Sequence, residues 1–234
     1  MKNILKVLKI IYVILKKDLL QEIKSKEIII SMLSYSVLVL VVVATTLKIN
    51  SNNSLIIFGT IYWISVSFSI LLGINKSISK EMDNKGIELL ILAPIDQEII
   101  IVSKIISNFF FTLLSSFIIL FSSNILFNYN LLNYKFIILV IISALGFSIV
   151  GTITSFLFSK SRGKEILSPL LFIPLVTPLL MASSSLTNQI LNNEIQNQSW
   201  YGLILGYDLL FFILGISISN FIYKESAILC AARL

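Results

Sequence analysis

Long apolar runs separated by short polar turns organise this chain. Six runs are long enough to cross a bilayer: Ile28 to Leu47, Leu55 to Ile74, about Ile99 or Ile105 to Phe127, Phe136 to Phe158, Ile166 to Leu186, and Leu203 to Tyr223. Twenty helical residues at ~1.5 Å each reach ~30 Å, the thickness of the hydrocarbon core, so each run predicts a transmembrane helix. Between the second and third runs lies a polar stretch, Asn75 to Lys104, carrying Lys76, Lys80, Glu81, Asp83, Lys85, Glu88, Asp96, Glu98 and Lys104. Inside it sits a short apolar patch, Gly86-Ile87-Glu88-Leu89-Leu90-Ile91-Leu92-Ala93-Pro94, bracketed by Gly86 and Pro94 as helix stop and start signals. The pattern predicts a short helix at the membrane surface, displayed toward a partner. Asp96 reads as the N-cap of the third span with Glu98 in its first turn, both favourable at a positive helix end.

Residues 1–27 follow a different pattern. Lys2, Lys6, Lys9, Lys16 and Lys17 recur near helical spacing between apolar blocks, and the run Ile10 to Leu15 is too short to span. A signal peptide would need a small-residue cleavage site after Leu15, where Lys16-Lys17-Asp18 stands instead. The stretch predicts an amphipathic helix in the interface plane, its lysines toward lipid headgroups or a partner. Three units result: an interface helix over 1–27, a six-helix unit over 28–223 with its cytoplasmic loop at 75–104, and a tail over 224–234. A second basic turn, Lys160-Ser161-Arg162-Gly163-Lys164-Glu165, precedes the fifth span, and 187–199 reads as a polar loop. The fifth span itself carries Pro169, Pro174 and Pro178, each of which removes a backbone donor and tends to bend a helix. These prolines argue for a helix packed within a bundle or lining a cavity, with a tolerated kink facing neighbouring helices as the equal alternative.

Composition fixes the class. The chain of 234 residues is 56% hydrophobic and only 13% charged, against about a quarter charged for a soluble domain; it reads as an all-α integral membrane protein. Charge distribution then orients it. Of the 18 lysines and arginines, only Lys48 and Lys135 fall on one side of a six-span topology. By the positive-inside rule both termini and the Asn75–Lys104 stretch are cytoplasmic. Trp200 and Tyr201, with Tyr129 and Tyr134, fall at the outer interface, where aromatic belts sit. The net charge of +6 thus points to membrane lipids and not to nucleic acid.

The chemistry available is narrow. There is no histidine and one cysteine, Cys230, which removes the usual general base, the commonest metal ligand and any internal disulfide. No catalytic constellation appears. Gly163-Lys164 is followed by Glu165 and lacks the upstream glycine of a Walker A loop, so the chain does not hydrolyse ATP by that route. The one carboxylate inside a span is Asp208. It is a candidate pathway residue, with an interfacial aspartate solvated from outside as the plainer reading. Gly146, Gly151, Gly202, Gly206 and Gly215 would let helices approach closely.

Several segments together resemble one family. They are Lys17-Asp18-Leu19-Leu20, Ser25-Lys26-Glu27, Gly73-Ile74-Asn75-Lys76-Ser77 with Lys80-Glu81, and Gly86 through Asp96 with its ELLxLAPxD core. Lys104 and Asn108, Gly146 and Gly151-Thr152, Arg162-Gly163-Lys164-Glu165-Ile166-Leu167 with Pro169 and Pro174, and Trp200 and Asp208 complete the set. In this order they resemble CcmB, the heme exporter permease of the cytochrome c maturation system, from about Lys17 to Phe221. The resemblance implies a six-helix ABC-2 type permease with no catalytic site, no metal site and no stably bound cofactor, heme being the handled ligand. It implies as partners a separate ABC ATPase subunit, a heme-handling membrane protein and a small membrane tether. The ATPase-coupling interface would be Glu81, Asp83, Lys85, Gly86, Glu88, Leu89, Leu90, Pro94 and Asp96. Arg162, Gly163, Lys164 and Glu165 would form a second cytoplasmic turn, and Pro169, Pro174, Pro178 and Asp208 a kinked pathway region. Met32 and Met181 are the only thioethers in spans to consider for heme, and both read as core. The implied location is the bacterial inner membrane, with the mitochondrial inner membrane as the alternative. An ABC-2 permease for another lipid or drug, and a non-transporting scaffold of an assembly complex, are the competing functions.

Overall fold

The computed structural model describes residues 2–46, 54–83, 95–127, 133–158 and 163–231. These form seven helices: α1 (Lys2–Ser25), α2 (Glu27–Thr46), α3 (Ser54–Asp83), α4 (Gln97–Phe127), α5 (Tyr134–Phe158), α6 (Lys164–Leu191) and α7 (Gln198–Ala231). Helices α3 to α7 are each long and apolar enough to cross a membrane. Helices α1 and α2 meet the same test only together, as a pair bent by 68°, which makes the sixth candidate span. The bend has a local cause. Lys26 sits in the left-handed region with φ 55°, and the Glu22 carboxylate accepts a hydrogen bond from the Ile29 N–H at 2.8 Å, capping the start of α2.

Helix ends differ from the sequence reading in a consistent direction: they run further into polar sequence. Helix α3 continues past Ile74 to Asp83, and α4 begins at Gln97, so most of the Asn75–Lys104 stretch is helix end and not loop. The short helix expected over 86–94 lies outside the described residues. Helix α6 continues beyond Leu186 to Leu191, which takes Thr187 out of the expected loop and into the packed interior. Helix α7 runs unbroken past Tyr223 into the expected tail.

The centre of the bundle is α3 and α5. Helix α3 packs against α2, α4, α5 and α6, and α5 against α4, α6 and α7. Their buried aromatics form one cluster. Tyr62 meets Trp63 edge-on at 5.0 Å and Phe136 at 5.4 Å, and Trp63 stacks on Phe147 at 5.8 Å. Aromatic polar atoms in an apolar interior need partners. Trp63 Nε1 donates to Thr187 Oγ1 at 2.8 Å and the Tyr62 hydroxyl to the Ser116 carbonyl at 3.2 Å, tying α3 to α6 and α4. Helix α7 is peripheral, with Leu205, Leu209, Leu210 and Ile213 exposed along it. Of the five glycines singled out, Gly146, Gly151 and Gly215 do face packed side chains, whereas Gly202 and Gly206 face open space.

Candidate functional site

Three helices converge under the central polar stretch, and their charges meet. Lys17 and Asp18 come from the C-terminal half of α1, Glu81 from the last turn of α3, and Lys104 from the second turn of α4. Lys17 Nζ lies 2.7 Å from Glu81 Oε1 and 3.2 Å from Asp18 Oδ1. Lys104 Nζ lies 2.7 Å from Asp18 Oδ2 and also contacts Glu81 Oε1. Lys104 is 2% exposed and Glu81 6%. Charges this deeply buried persist only when paired and hydrogen-bonded. Burial alone would push the Asp18 carboxyl up, but Lys104 and then Lys17 outweigh it and hold the group below its ordinary value. Burial likewise works against the charge on Lys17, and Glu81 and Asp18 overcome it, holding Lys17 above its ordinary value. The cluster therefore fixes α1 to α3 and α4 by charge, next to the stretch where α3 ends and α4 begins.

Deeper in the bundle the ties are neutral. Asn75 Oδ1 accepts hydrogen bonds from Ser168 Oγ at 2.7 Å and from Ser155 Oγ, joining α3 to α6 and α5. Asn108 Nδ2 donates to Thr152 Oγ1 at 2.9 Å between α4 and α5, and Ser143 pairs with Ser183 at 2.8 Å between α5 and α6.

Asp208 corrects the plainer reading. It is 5% exposed, and its Oδ1 is buried with no hydrogen-bond partner among the described residues. A side chain at Gly146 would collide with that oxygen and with Leu179. Asp208 is therefore packed inside the bundle between α7, α5 and α6 and is not an interfacial, outward-solvated aspartate.

The remaining residues singled out from sequence are distributed as follows. Glu81, expected to point toward a partner, turns inward because Lys17 and Lys104 supply its counter-charges within the chain. Asp83 ends α3. Lys85, Gly86, Glu88, Leu89, Leu90, Pro94 and Arg162 lie outside the described residues. Asp96 is exposed just before α4. The Gly163 carbonyl accepts from the Ile166 and Leu167 N–H groups at 3.0 and 2.9 Å, starting α6, whose first residues are Lys164 and Glu165. Pro169, Pro174 and Pro178 stand inside an uninterrupted α6. The face between them, with Phe172, Val176 and Leu180, lines an apolar groove of about 200 Å³ against Ile64, Phe68 and Leu71 of α3. Met32 is buried, packed over Gly73 in a space no side chain could share, whereas Met181 is exposed and not core.

The sequence reading missed the partners of Glu81. The signal was there in Lys104, a single lysine flanked by Ile99-Ile100-Ile101-Val102 and Ile105-Ile106, which a membrane helix carries only when it is paired.

No curated protein matches the chain. The family model described as CcmB protein matches residues 9–223, nearly the whole of it. With that match over an all-helical bundle of five to six candidate spans, the chain belongs to the CcmB family of heme exporter permeases.

Proposed function

We propose that this chain is the permease subunit of an ABC transporter that exports or delivers heme during cytochrome c maturation, with ATP hydrolysed on a separate cytoplasmic subunit. The family match over residues 9–223 carries the reading. The ATPase docks on the stretch between α3 and α4: Asp83, Lys85, Glu88 and Asp96 orient it by charge, and Leu89 and Leu90 are the buried anchors. The second turn, Arg162 to Glu165, flanks that surface. The ion cluster favours this placement, because any displacement of the docked stretch would act at once on α3, α4 and, through Lys104 and Lys17, on α1. A heme-handling membrane protein and a small tether complete the complex. The excess of lysine on one side supports an inner-membrane protein with both termini in the cytoplasm.

Pull-down of the tagged protein in mild detergent tests this. Recovery of an ATP-binding subunit together with a heme-handling membrane protein is the expected result. Glu88→Lys and Leu90→Asp should each lose the ATPase while inserting normally. Undiminished recovery of the ATPase with both variants would remove the docking assignment.

A further inference from the structure

Beside the ion cluster, at the elbow between α1 and α2, is a small cavity of about 10 Å³ lined by Asp18, Glu22, Ser77, Lys80 and Glu81, among others. Its size suits one water-sized particle. Two carboxylates there are incompletely used. Glu22, 2% exposed, spends Oε1 on the Ile29 N–H at 2.8 Å and leaves Oε2 buried without a partner. Glu81 receives both lysines at Oε1 and likewise leaves Oε2 buried without one.

The charges do not balance. Lys17 and Lys104 answer Asp18 and Glu81. Lys80 lines the cavity, but its ammonium is held by Ser25 Oγ at 2.8 Å and Glu27 Oε2 at 3.3 Å. Glu22 is left with no cation. A buried carboxylate without a counter-charge costs several kcal/mol, so one positive charge is missing beside two free carboxylate oxygens. Among the described residues no three acids, cysteines or histidines are grouped to hold a metal ion, and one uncompensated carboxylate charge matches a singly charged ion and not a divalent one.

We propose that this cavity binds one monovalent metal cation of sodium size, held by Glu22 Oε2 and Glu81 Oε2. The ion bridges α1 to α3 while Glu22 Oε1 caps α2, so its occupancy fixes the elbow at which the interface helix turns into the membrane. Ion binding there requires neither the proposed cargo nor a docked ATPase.

The test uses the purified full-length protein in detergent with radioactive sodium as the probe. About one sodium per chain is expected, displaced by unlabelled sodium chloride and not by choline chloride. The unfolding midpoint should rise with sodium and stay flat in choline at equal ionic strength. Glu22→Gln keeps an Oε1 acceptor for Ile29 and should lose at least tenfold in sodium binding, together with the midpoint shift. Ser77→Val fills the cavity without touching any charge and should do the same, which separates ion loss from a folding defect. Glu194→Gln, on the outer loop, should bind like the wild type. Equal sodium binding in wild type, Glu22→Gln and Ser77→Val would overturn the assignment. So would a midpoint that ignores sodium and responds only to pH, since the missing charge would then be a proton.

Discussion

Replacing Lys104 by methionine isolates what the buried ion cluster contributes. Methionine keeps most of the apolar stem and removes the ammonium that serves two carboxylates. Breaking a buried pair from one side costs roughly 3–5 kcal/mol, because the partner is left charged and unpaired. Here Lys17 still reaches both acids, but its side chain is 44% exposed and its attraction is correspondingly screened. The expected loss therefore falls near the low end, about 3 kcal/mol, or on the order of a hundredfold in the unfolding equilibrium. Reversible unfolding in mixed detergent micelles measures it. Adding Asp18→Asn to Lys104→Met should recover at least ~1 kcal/mol, since the amide no longer strands a charge, whereas Asp18→Asn alone should destabilise. A loss under about 1 kcal/mol, or strictly additive effects in this cycle, would refute the reasoning: the four groups would then be solvated and not coupled.

Three further outcomes follow from the same geometry. Asp18 is held below its ordinary 3.8 and Lys17 above its ordinary 10.5, so Asp18 stabilises above its unfolded value and loses that contribution as pH falls through its folded one. Lys17 does the reverse on the alkaline side. The contribution of this pair to the unfolding midpoint should be flat from about pH 5 to 10 and fall on both flanks, so the difference between wild type and Asp18→Asn should open on the acid flank. Asn75→Leu should cost about 1–3 kcal/mol by removing the acceptor of the Ser155 and Ser168 hydroxyls, and Asn75→Asp, which can still accept from both, should restore their bonds at the cost of a half-buried charge; denaturant titration of the pair distinguishes these. Gly146→Leu should collide with Asp208 and Leu179 and loosen α7, seen as faster proteolysis or cysteine labelling along α7, while Gly202→Leu, facing open space, should leave labelling unchanged.

The apolar runs made the spans legible in the sequence, because hydropathy is a property of segments. What they did not give was where each helix ends. Helices α3 and α4 run through Lys76, Lys80, Glu81 and Lys104, which look like loop residues until the residues answering them are known. Those partners, Lys17 and Asp18, are more than sixty residues away from Glu81 and belong to a different helix; no local pattern connects them. The same holds for Thr187, a loop residue by composition that becomes interior because Trp63 needs an acceptor. Asp208 fails for a related reason. Taken alone it reads as an interfacial aspartate, but its burial is set by where α5 and α6 place Gly146 and Leu179 beside it.

The polar groups inside this bundle change kind with depth, and the change has a physical reason. At the end of α3 nearest α4 the interhelical ties are ion pairs, four charges that are buried together because they answer one another. Six residues, or ~9 Å, further along α3 the tie at Asn75 is neutral, and so are Asn108–Thr152, Ser143–Ser183 and Trp63–Thr187 beyond it. Helix α3 thus grips α1 and α4 by charge at one end, and α5 and α6 by hydrogen bonds along its length. A pull on its C-terminal end meets first the strong, directional contacts to α1 and α4, and only then the weaker amide and hydroxyl contacts, worth about 0.5–1.5 kcal/mol each. Such an order favours α1, α4 and the end of α3 moving as one body against the remaining helices. Disulfide cross-linking of α1 to the end of α3 should then leave the proposed ATP-driven transport intact, whereas cross-linking α3 to α6 near Asn75 should block it; the opposite pattern would mean that the cluster breaks first and the neutral ties hold.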